Sequence, residues 1–350
     1  MHSLATLRAA FVPVPGYLDA ATCGLPARAT AEAMHAALDT WQAGKADLGI
    51  YDEAVSASRA AYARLVGVDP SWVAVGSQTS TLVGLVAGSV PDGAEVLAVD
   101  GDFSSVTFPF VAHADRGVTV RHVPLESLAD EVRPTTHTVA FSLVQSRDGR
   151  VADVDAILAA AAAAGARTVC DLTQAVGWLP VDADRFDVTA CAAYKWLAAP
   201  RGTAFLTVRP EHLDRLRPSS AGWYAGAEIW SSVYGPVMAL AQDARRFDVS
   251  PAWLCWVGTA PALELFAQTP RHDIHAYAVS LANAFRAGVG LEPGGSAIVA
   301  LPDDAVGSRR ALLAAAGTRA AGRGGGVRLA FHVWNDADDV ARAVATLSGS

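Results

Sequence analysis

Apolar residues recur at helical spacing in two early stretches: Met34, Ala37, Leu38 and Trp41 within residues 29–43, and Val55, Tyr62, Leu65 and Val66 within residues 52–66. The spacing predicts two amphipathic helices, the second stopped by Gly67 and Pro70. From Trp72 the texture changes to short apolar runs that alternate with helical stretches. The runs are Trp72–Val75, Val96–Val99, Val118–Val123, Thr138–Val144, Thr168–Cys170, Val188–Cys191 and Thr203–Val208. The helical stretches between them lie near Thr81–Gly88, from Ser105, and at Val154–Ala164, where alanine, the best helix former, dominates. Short buried strands alternating with helices predict an α/β domain with a mainly parallel sheet.

After about Pro236 the pattern loosens into longer helices, Val257–Phe266 and Ile274–Ala287. These precede Ile298–Leu301, a helix Ser308–Ala316 and Val327–Val333, which together read as a smaller α+β domain. The expected division is an N-terminal segment 1–20, a large domain 21–235 and a small domain 236–350; a chain of 350 residues exceeds what one core usually serves. The glycine-rich run Ala321–Gly326 is too short for a linker and is expected to be a mobile loop.

Composition narrows the function classes. A hydrophobic fraction of 52% against 18% charged residues argues for a large core, and a net charge of −8 without a basic run argues against nucleic-acid and anionic-membrane partners. Cys23, Cys170, Cys191 and Cys255 lie far apart, so neither a disulfide framework nor a metal centre is expected, and the setting reads as reducing and cytoplasmic. The first residues lack a basic segment followed by a long apolar one, so neither a signal peptide nor a spanning helix is expected.

The chemistry concentrates where strands end. Asp171 closes one apolar run, with Gln174 just beyond it, and Tyr194-Lys195-Trp196 follows another. Ligands of parallel sheets bind beyond the carboxyl ends of the strands. A buried lysine has a depressed pKa, which makes it a nucleophile toward an aldehyde and then a base, and a buried aspartate can keep a pyridinium nitrogen protonated. Those are the demands of pyridoxal 5'-phosphate (PLP). Val75-Gly-Ser-Gln-Thr-Ser80 follows a strand and opens a helix, where backbone N–H groups and hydroxyls cradle phosphate; an ordinary turn with a serine or threonine cap has the same appearance. Phe103, past another strand, suits stacking on a flat ring or simple core packing, and Gln145 suits donation to a phenolate oxygen or plain turn chemistry.

The order of these pieces resembles the class V aminotransferase family of fold-type I PLP enzymes, the group that contains cysteine desulfurases, kynureninases, isopenicillin N epimerases and carbon–sulfur lyases. The resemblance runs from Tyr17-Leu-Asp-Ala-Ala-Thr-Cys-Gly24 to Val327-Arg-Leu-Ala-Phe-His-Val-Trp-Asn335 and is most specific at Asp171-x-x-Gln174, Tyr194-Lys-Trp-Leu197 and Pro200-Arg-Gly202. It implies a large domain with a mainly parallel seven-stranded sheet flanked by helices, plus the smaller C-terminal domain.

By the same resemblance Lys195 forms the Schiff base and shuttles protons, Asp171 pairs with the pyridine nitrogen, and Gln174 contacts the phenolate oxygen. Phe103 stacks on the ring, Ser77, Gln78, Thr79 and Tyr194 hold the phosphate, and Arg328 binds the substrate carboxylate as a bidentate pair. It also implies a homodimer with the active site at the interface, for which Trp223–Trp230 and Trp253–Trp256 are candidate interface or core tryptophans.

Two departures carry weight. Ala192 and Ala193 replace the hydroxyl residue that many members place before the lysine, and the segment between Val299 and Arg328 lacks the cysteine a persulfide-forming desulfurase needs, unless Cys23 or Cys255 reaches the site. The second departure argues against a persulfide-forming desulfurase, and the kynureninase-like residues Phe103 and Tyr194 favour β-elimination of a thiol from a cysteine-like amino acid as the implied activity. A transaminase or an epimerase stands second, and a catalytically silent binding protein is the alternative from another class. His113 and His332 read as structural histidines.

Overall fold

The apolar alternation along the strands places neighbouring residues on opposite faces of one sheet, and both faces are covered. The computed structural model describes residues 1–348. The chain runs through α1 (Leu4–Ala9), α2 (Arg28–Gln42), α3 (Leu48–Val66), β1 (Val73–Gly76), α4 (Thr79–Ala87), β2 (Glu95–Val99), α5 (Ser104–Val111), β3 (Thr119–Val123) and β4 (Thr136–Ser142). It continues through α6 (Val154–Ala164), β5 (Arg167–Asp171), β6 (Val188–Ala192), β7 (Ala204–Val208), α7 (Trp253–Ala267), α8 (Arg271–Gly288) and β8 (Ile298–Pro302). The last elements are α9 (Ser308–Ala315), β9 (Ala321–Arg323), β10 (Gly326–Ala330) and α10 (Ala337–Ser348).

The large sheet has seven strands in the order β1-β7-β6-β5-β4-β2-β3, with β7 antiparallel to both neighbours and the other pairs parallel. Val75, Leu97, Cys170 and Cys191 pack toward one core with Val55, Tyr62 and Ile157. Ala74, Val96, Val169 and Ala190 face the other, with Leu82, Val86 and Phe110. Strands buried on both faces explain why they read as unbroken apolar runs. A third cluster joins β8 and β10 of the small antiparallel sheet β8-β10-β9 to α8 and α10.

Register fixes where chemistry can gather. Gly76 at the end of β1 and Ala192 at the end of β6 both pair with Ala204, the first residue of β7. The segments that follow β1 and β6 therefore leave the sheet at one edge, on either side of β7. Ser142 is level with Asp171, and Asp171 with Ala190, so β4 and β5 end at the same edge. The buried Asp248 anchors β1 there: its carboxylate accepts from Val75 N at 2.8 Å and from Arg59 Nη2 at 2.6 Å.

Three details depart from the sequence pattern. The run Ala321–Gly326 is not a mobile loop but a hairpin: Gly324 and Gly325, at φ 55° and 77°, form the two-residue turn between β9 and β10. Two successive positive φ values suit that turn type and need glycine. Helix α4 begins at Thr79, earlier than the apolar spacing announces, because its first turn faces a cavity instead of the core. Helix α10 went unannounced because Asp338 and Asp339 interrupt its start, yet Val340 and Ala343 are buried. We propose that the chain divides at 1–20, 21–235 and 236–350, with α7 packing back on α2 and α3 of the larger unit.

Candidate active site

Lys195 leaves the end of β6 into a tight loop. Its side chain is 5% exposed, and among the described residues its Nζ has no hydrogen-bond partner. The ring of Phe103 lies 5.1 Å from Nζ and that of Tyr194 5.6 Å. Burial lowers the amine to a pKa of about 8, against the attraction of Asp171 and with help from Arg328 and Arg323. Asp171 is buried at the end of β5 and pushed up to about 6 by burial, although Thr173 N donates to its Oδ1 at 2.9 Å.

The loop around the lysine is held from three directions. Gly24 sits against it so closely that a Cβ there would lie 2.1 Å from the Lys195 carbonyl oxygen, and Gly24 N donates to Tyr194 O at 2.9 Å. This close approach requires glycine. Ala198 takes φ 54°, an uncommon conformation for a residue with a Cβ, as the chain turns back. His332 Nε2 donates to the carbonyl of Trp196 at 2.7 Å.

A cavity of about 240 Å³ opens beside the amine. Ser77, Gln78, Thr79, Phe103, Thr173, Ala192, Tyr194 and Arg201 are among its walls. Gln78 is the N-cap of α4, but no side chain caps the helix, so its first N–H groups are left for a ligand. An ordinary serine-capped turn would have such a cap. Ala192 offers no hydroxyl; the Thr173 hydroxyl lies on the cavity in its place, 3.1 Å from Thr79 Oγ1 and 3.0 Å from Ala192 N. Phe103 is 42% exposed, with a ring face free for a planar partner. Asp102 holds it there by accepting from Phe103 N and Ser142 Oγ, each at 2.6 Å, and from Ser142 N at 2.8 Å. A free amine, a buried carboxylate, an uncapped helix start and an exposed ring together fit a flat, phosphate-bearing aldehyde.

The structure thus gathers Ser77, Gln78, Thr79, Phe103, Tyr194 and Lys195 around one cavity, with Asp171 buried beside them. Gln145, Gln174 and Arg328 stand outside its lining. Gln174 donates to Ala21 O at 3.0 Å and Ser146 Oγ at 3.1 Å, and accepts from Trp196 Nε1 at 2.8 Å. Gln145 donates to Ser142 O at 3.3 Å. Arg328, 1% exposed, donates to Ser146 O and, at 2.8 Å, to Thr22 Oγ1; Asp19 Oδ1 is 3.7 Å away, and the guanidinium Nε is buried without a partner. Burial and nearby Arg323 lower its pKa to about 10.

Thr22, Asp102, Ser146, Thr173 and Arg323 escaped the sequence reading. Thr22 falls inside the Tyr17–Gly24 motif and Asp102 stands next to Phe103, but nothing in their spacing distinguishes them from turn residues. Cys23 is exposed beside Gly24, with burial of its surroundings pushing the thiol up. The Cys255 thiol donates to Arg201 O behind the cavity wall. Neither is poised as a thiolate. Trp256 is core, stacked edge-on against Phe205, whereas Trp230 is exposed and 5.3 Å from Trp223. His113 lies away from this cavity.

The sequence model of the family described as Aminotransferase class-V matches residues 17–303. An uncharacterized aminotransferase, YcbU of Bacillus subtilis, is 28% identical over 309 residues, covering 82% of this chain and 81% of its own. The kynureninase of Deinococcus radiodurans is 30% identical over 313 residues, covering 81% and 73%. Among solved structures, the cystine C-S lyase C-DES, in complex with cysteine persulfide, aligns with a TM-score of 0.85 at 20% identity, over 95% of this chain and 96% of that one. The cysteine desulfurase of Thermococcus onnurineus aligns with a TM-score of 0.85 at 18% identity, over 100% and 98%. These structural likenesses concern the fold.

His332 gives a pH-dependent signature. Its Nδ1 accepts from Val333 N at 2.8 Å while Nε2 donates, so the ring is neutral in the native fold. Trp196, Trp334 and Phe266 surround it, and burial lowers its pKa from 6.5 to about 4. The unfolded chain therefore binds the extra proton first as pH falls. The stability advantage of the native chain over His332→Gln should be full above pH 6.5 and erode between 6.5 and about 4. Urea denaturation across that range checks it, and a pH-independent difference would contradict it.

Proposed function

The chain belongs to the class-V aminotransferase family, and from that premise we propose that it is a lyase eliminating a β substituent, such as a thiol, from a cysteine-like amino acid. PLP is the cofactor. When bound, it supplies an electron sink for the charge left at the amino acid's α carbon. Ser77, Gln78, Thr79 and the start of α4, with Thr173, would hold its phosphate, which leaves the Tyr194 hydroxyl for the substrate. Asp171 would pair with the ring nitrogen, Phe103 would cover the ring, and Gln174 would stand toward its phenolate edge.

One observation supports elimination over transamination. Lys195 and Tyr194 sit side by side on the cavity, and burial moves them in opposite directions, the amine down to about 8 and the phenol up. Two groups that can each carry a proton, set on one cavity wall, can act as a base and an acid. Lys195, neutral in part at physiological pH, takes the α proton. Tyr194, which stays protonated, gives its proton to the departing sulfur. A transaminase needs one proton shuttle and has no use for the second group. Arg328 orients the substrate through its carboxylate, and the hairpin that carries Arg328 has no cysteine to receive sulfur.

We also propose a homodimer with the site near the interface. Trp41, Ile50, Tyr234, Val237 and Met238 are large apolar side chains left exposed, a pattern that marks an association surface. No helix among the described residues is long and apolar enough to cross a membrane. Sedimentation of the purified protein at micromolar concentration should give twice the chain mass; a monomer sinks this part of the reading.

With PLP and an S-alkylcysteine, the protein should release pyruvate and ammonia without any keto acid, and Lys195→Ala should abolish release. Tyr194→Phe should slow elimination of an alkyl thiol at least about tenfold, the usual contribution of a positioned acid being larger. It should slow elimination of an aryl thiol, whose anion leaves unaided, much less. Turnover only when a keto acid is supplied would instead make the protein a transaminase.

A further inference from the structure

We propose that the substrate carries a second acidic group on its side chain, and that Arg323, at the tip of the β9–β10 hairpin, binds it while Arg328 takes the α-carboxylate. The inference rests on the amino-acid-lyase reading above and narrows its substrate class to cysteine conjugates with an anionic side chain.

The hairpin's register puts both arginines on one face. Arg323 pairs with Gly326, and Arg328 pairs with Ala321. Directly opposed residues of an antiparallel pair share a face, and residues two apart along a strand share a face. Arg323 and Arg328 therefore project together. Their side chains meet at a single hydroxyl: Thr22 Oγ1 accepts from Arg328 Nη2 at 2.8 Å and from Arg323 Nη2 at 3.4 Å. The field of Arg323 reaches Lys195 and Tyr194 as well as Arg328. Two guanidinium groups that share one hydroxyl match two anionic groups a few bonds apart on one small molecule.

The balance of charge supports a ligand there. Asp19 is shared by Arg328 at 3.7 Å and Arg319 at 3.5 Å. Arg147, which packs beneath the turn at Gly324, is answered by Asp148 at 3.5 Å. Arg323 forms no ion pair among the described residues, and neither does Arg201, which stands over the Tyr194 ring at 5.1 Å. This local excess of positive charge persists in a chain whose net charge is −8. Arg323 is not among the residues lining the cavity at the start of α4; it lines a groove on the other side of the hairpin tip with Asp303, Asp304 and Arg310. A charged ligand with a second carboxylate would gain a charge-assisted hydrogen bond that a neutral analogue lacks. The Gly324-Gly325 turn joins β9 directly to β10, so Arg323 and Arg328 belong to one strand pair.

S-carboxymethylcysteine and its amide, S-carbamoylmethylcysteine, differ almost only in that charge. Calorimetric titration of each into PLP-loaded Lys195→Ala protein, which cannot turn them over, reads binding apart from chemistry. The acid should bind about tenfold to a hundredfold more tightly than the amide. That ratio should collapse toward one when Arg323→Gln is added and persist in part with Arg323→Lys, while the affinity for the amide changes less than about twofold. A ratio near one in the presence of Arg323, or a ratio unaffected by Arg323→Gln, overturns the proposal. Equal loss of both ligands in Arg323→Gln also overturns it, since Arg323 would then serve the shared α-carboxylate or the fold. The same compounds given to the enzyme with Lys195 intact keep the two readings apart. Charge-selective binding without pyruvate release sinks elimination and leaves this inference standing, whereas equal pyruvate release from both compounds, indifferent to Arg323, does the reverse.

Discussion

A largely buried amine at the wall of a cavity is the constraint on which the rest of the structure depends. Burying the charge of Lys195 costs free energy, and the cost appears as a pKa of about 8 in place of 10.5. Left to itself the side chain would swing toward water. It stays because its loop is clamped: Gly24 of the N-terminal segment lies against the Lys195 carbonyl, Ala198 turns the chain back at a positive φ, and His332 of the closing motif binds the next carbonyl. Asn335 ties that closing motif to the opening one by donating to Tyr17 O at 2.9 Å. The two ends of the chain thus meet behind the reactive residue.

A chain of buried hydrogen bonds also connects Arg328, the proposed carboxylate-binding residue, to the loop of the lysine. Arg328 holds Ser146, Ser146 receives a hydrogen bond from Gln174, and Gln174 accepts from Trp196, the residue after Lys195. A carboxylate that draws Arg328 forward pulls on a connected set of buried hydrogen bonds, in which each partner has few alternatives. Around the cavity, burial sets the protonation states. It keeps Tyr194 a phenol, makes Lys195 partly a free amine, and raises Asp171 to about 6, a value that a pyridinium partner would bring back down.

Much of this was legible in the sequence because period and position carry it. Strands buried on both faces announce themselves as apolar runs, and Asp171 and Lys195 stand at the ends of two of them. The stretch before Thr79 was legible only as ambiguous, since Ser77 and Thr79 suit a cap as well as a phosphate; in the fold no side chain caps the helix. Thr173, whose hydroxyl stands on the cavity beside Ala192, could not be read, because its place depends on β5 and β6 lying side by side. Arg323 was hidden for a related reason. A run of glycines looks mobile in one dimension, and only the pairing of β9 with β10 turns it into a rigid tip facing Thr22.

The central claim is that Lys195 is the residue that reacts with the cofactor, and chemical trapping tests it most directly. The protein is mixed with PLP, reduced with borohydride, digested, and its peptides are weighed. The account expects the reduced phosphopyridoxyl group on the peptide containing Lys195, in about one copy per chain. Labelling of Lys45 instead, or no trapped group at all, would contradict it.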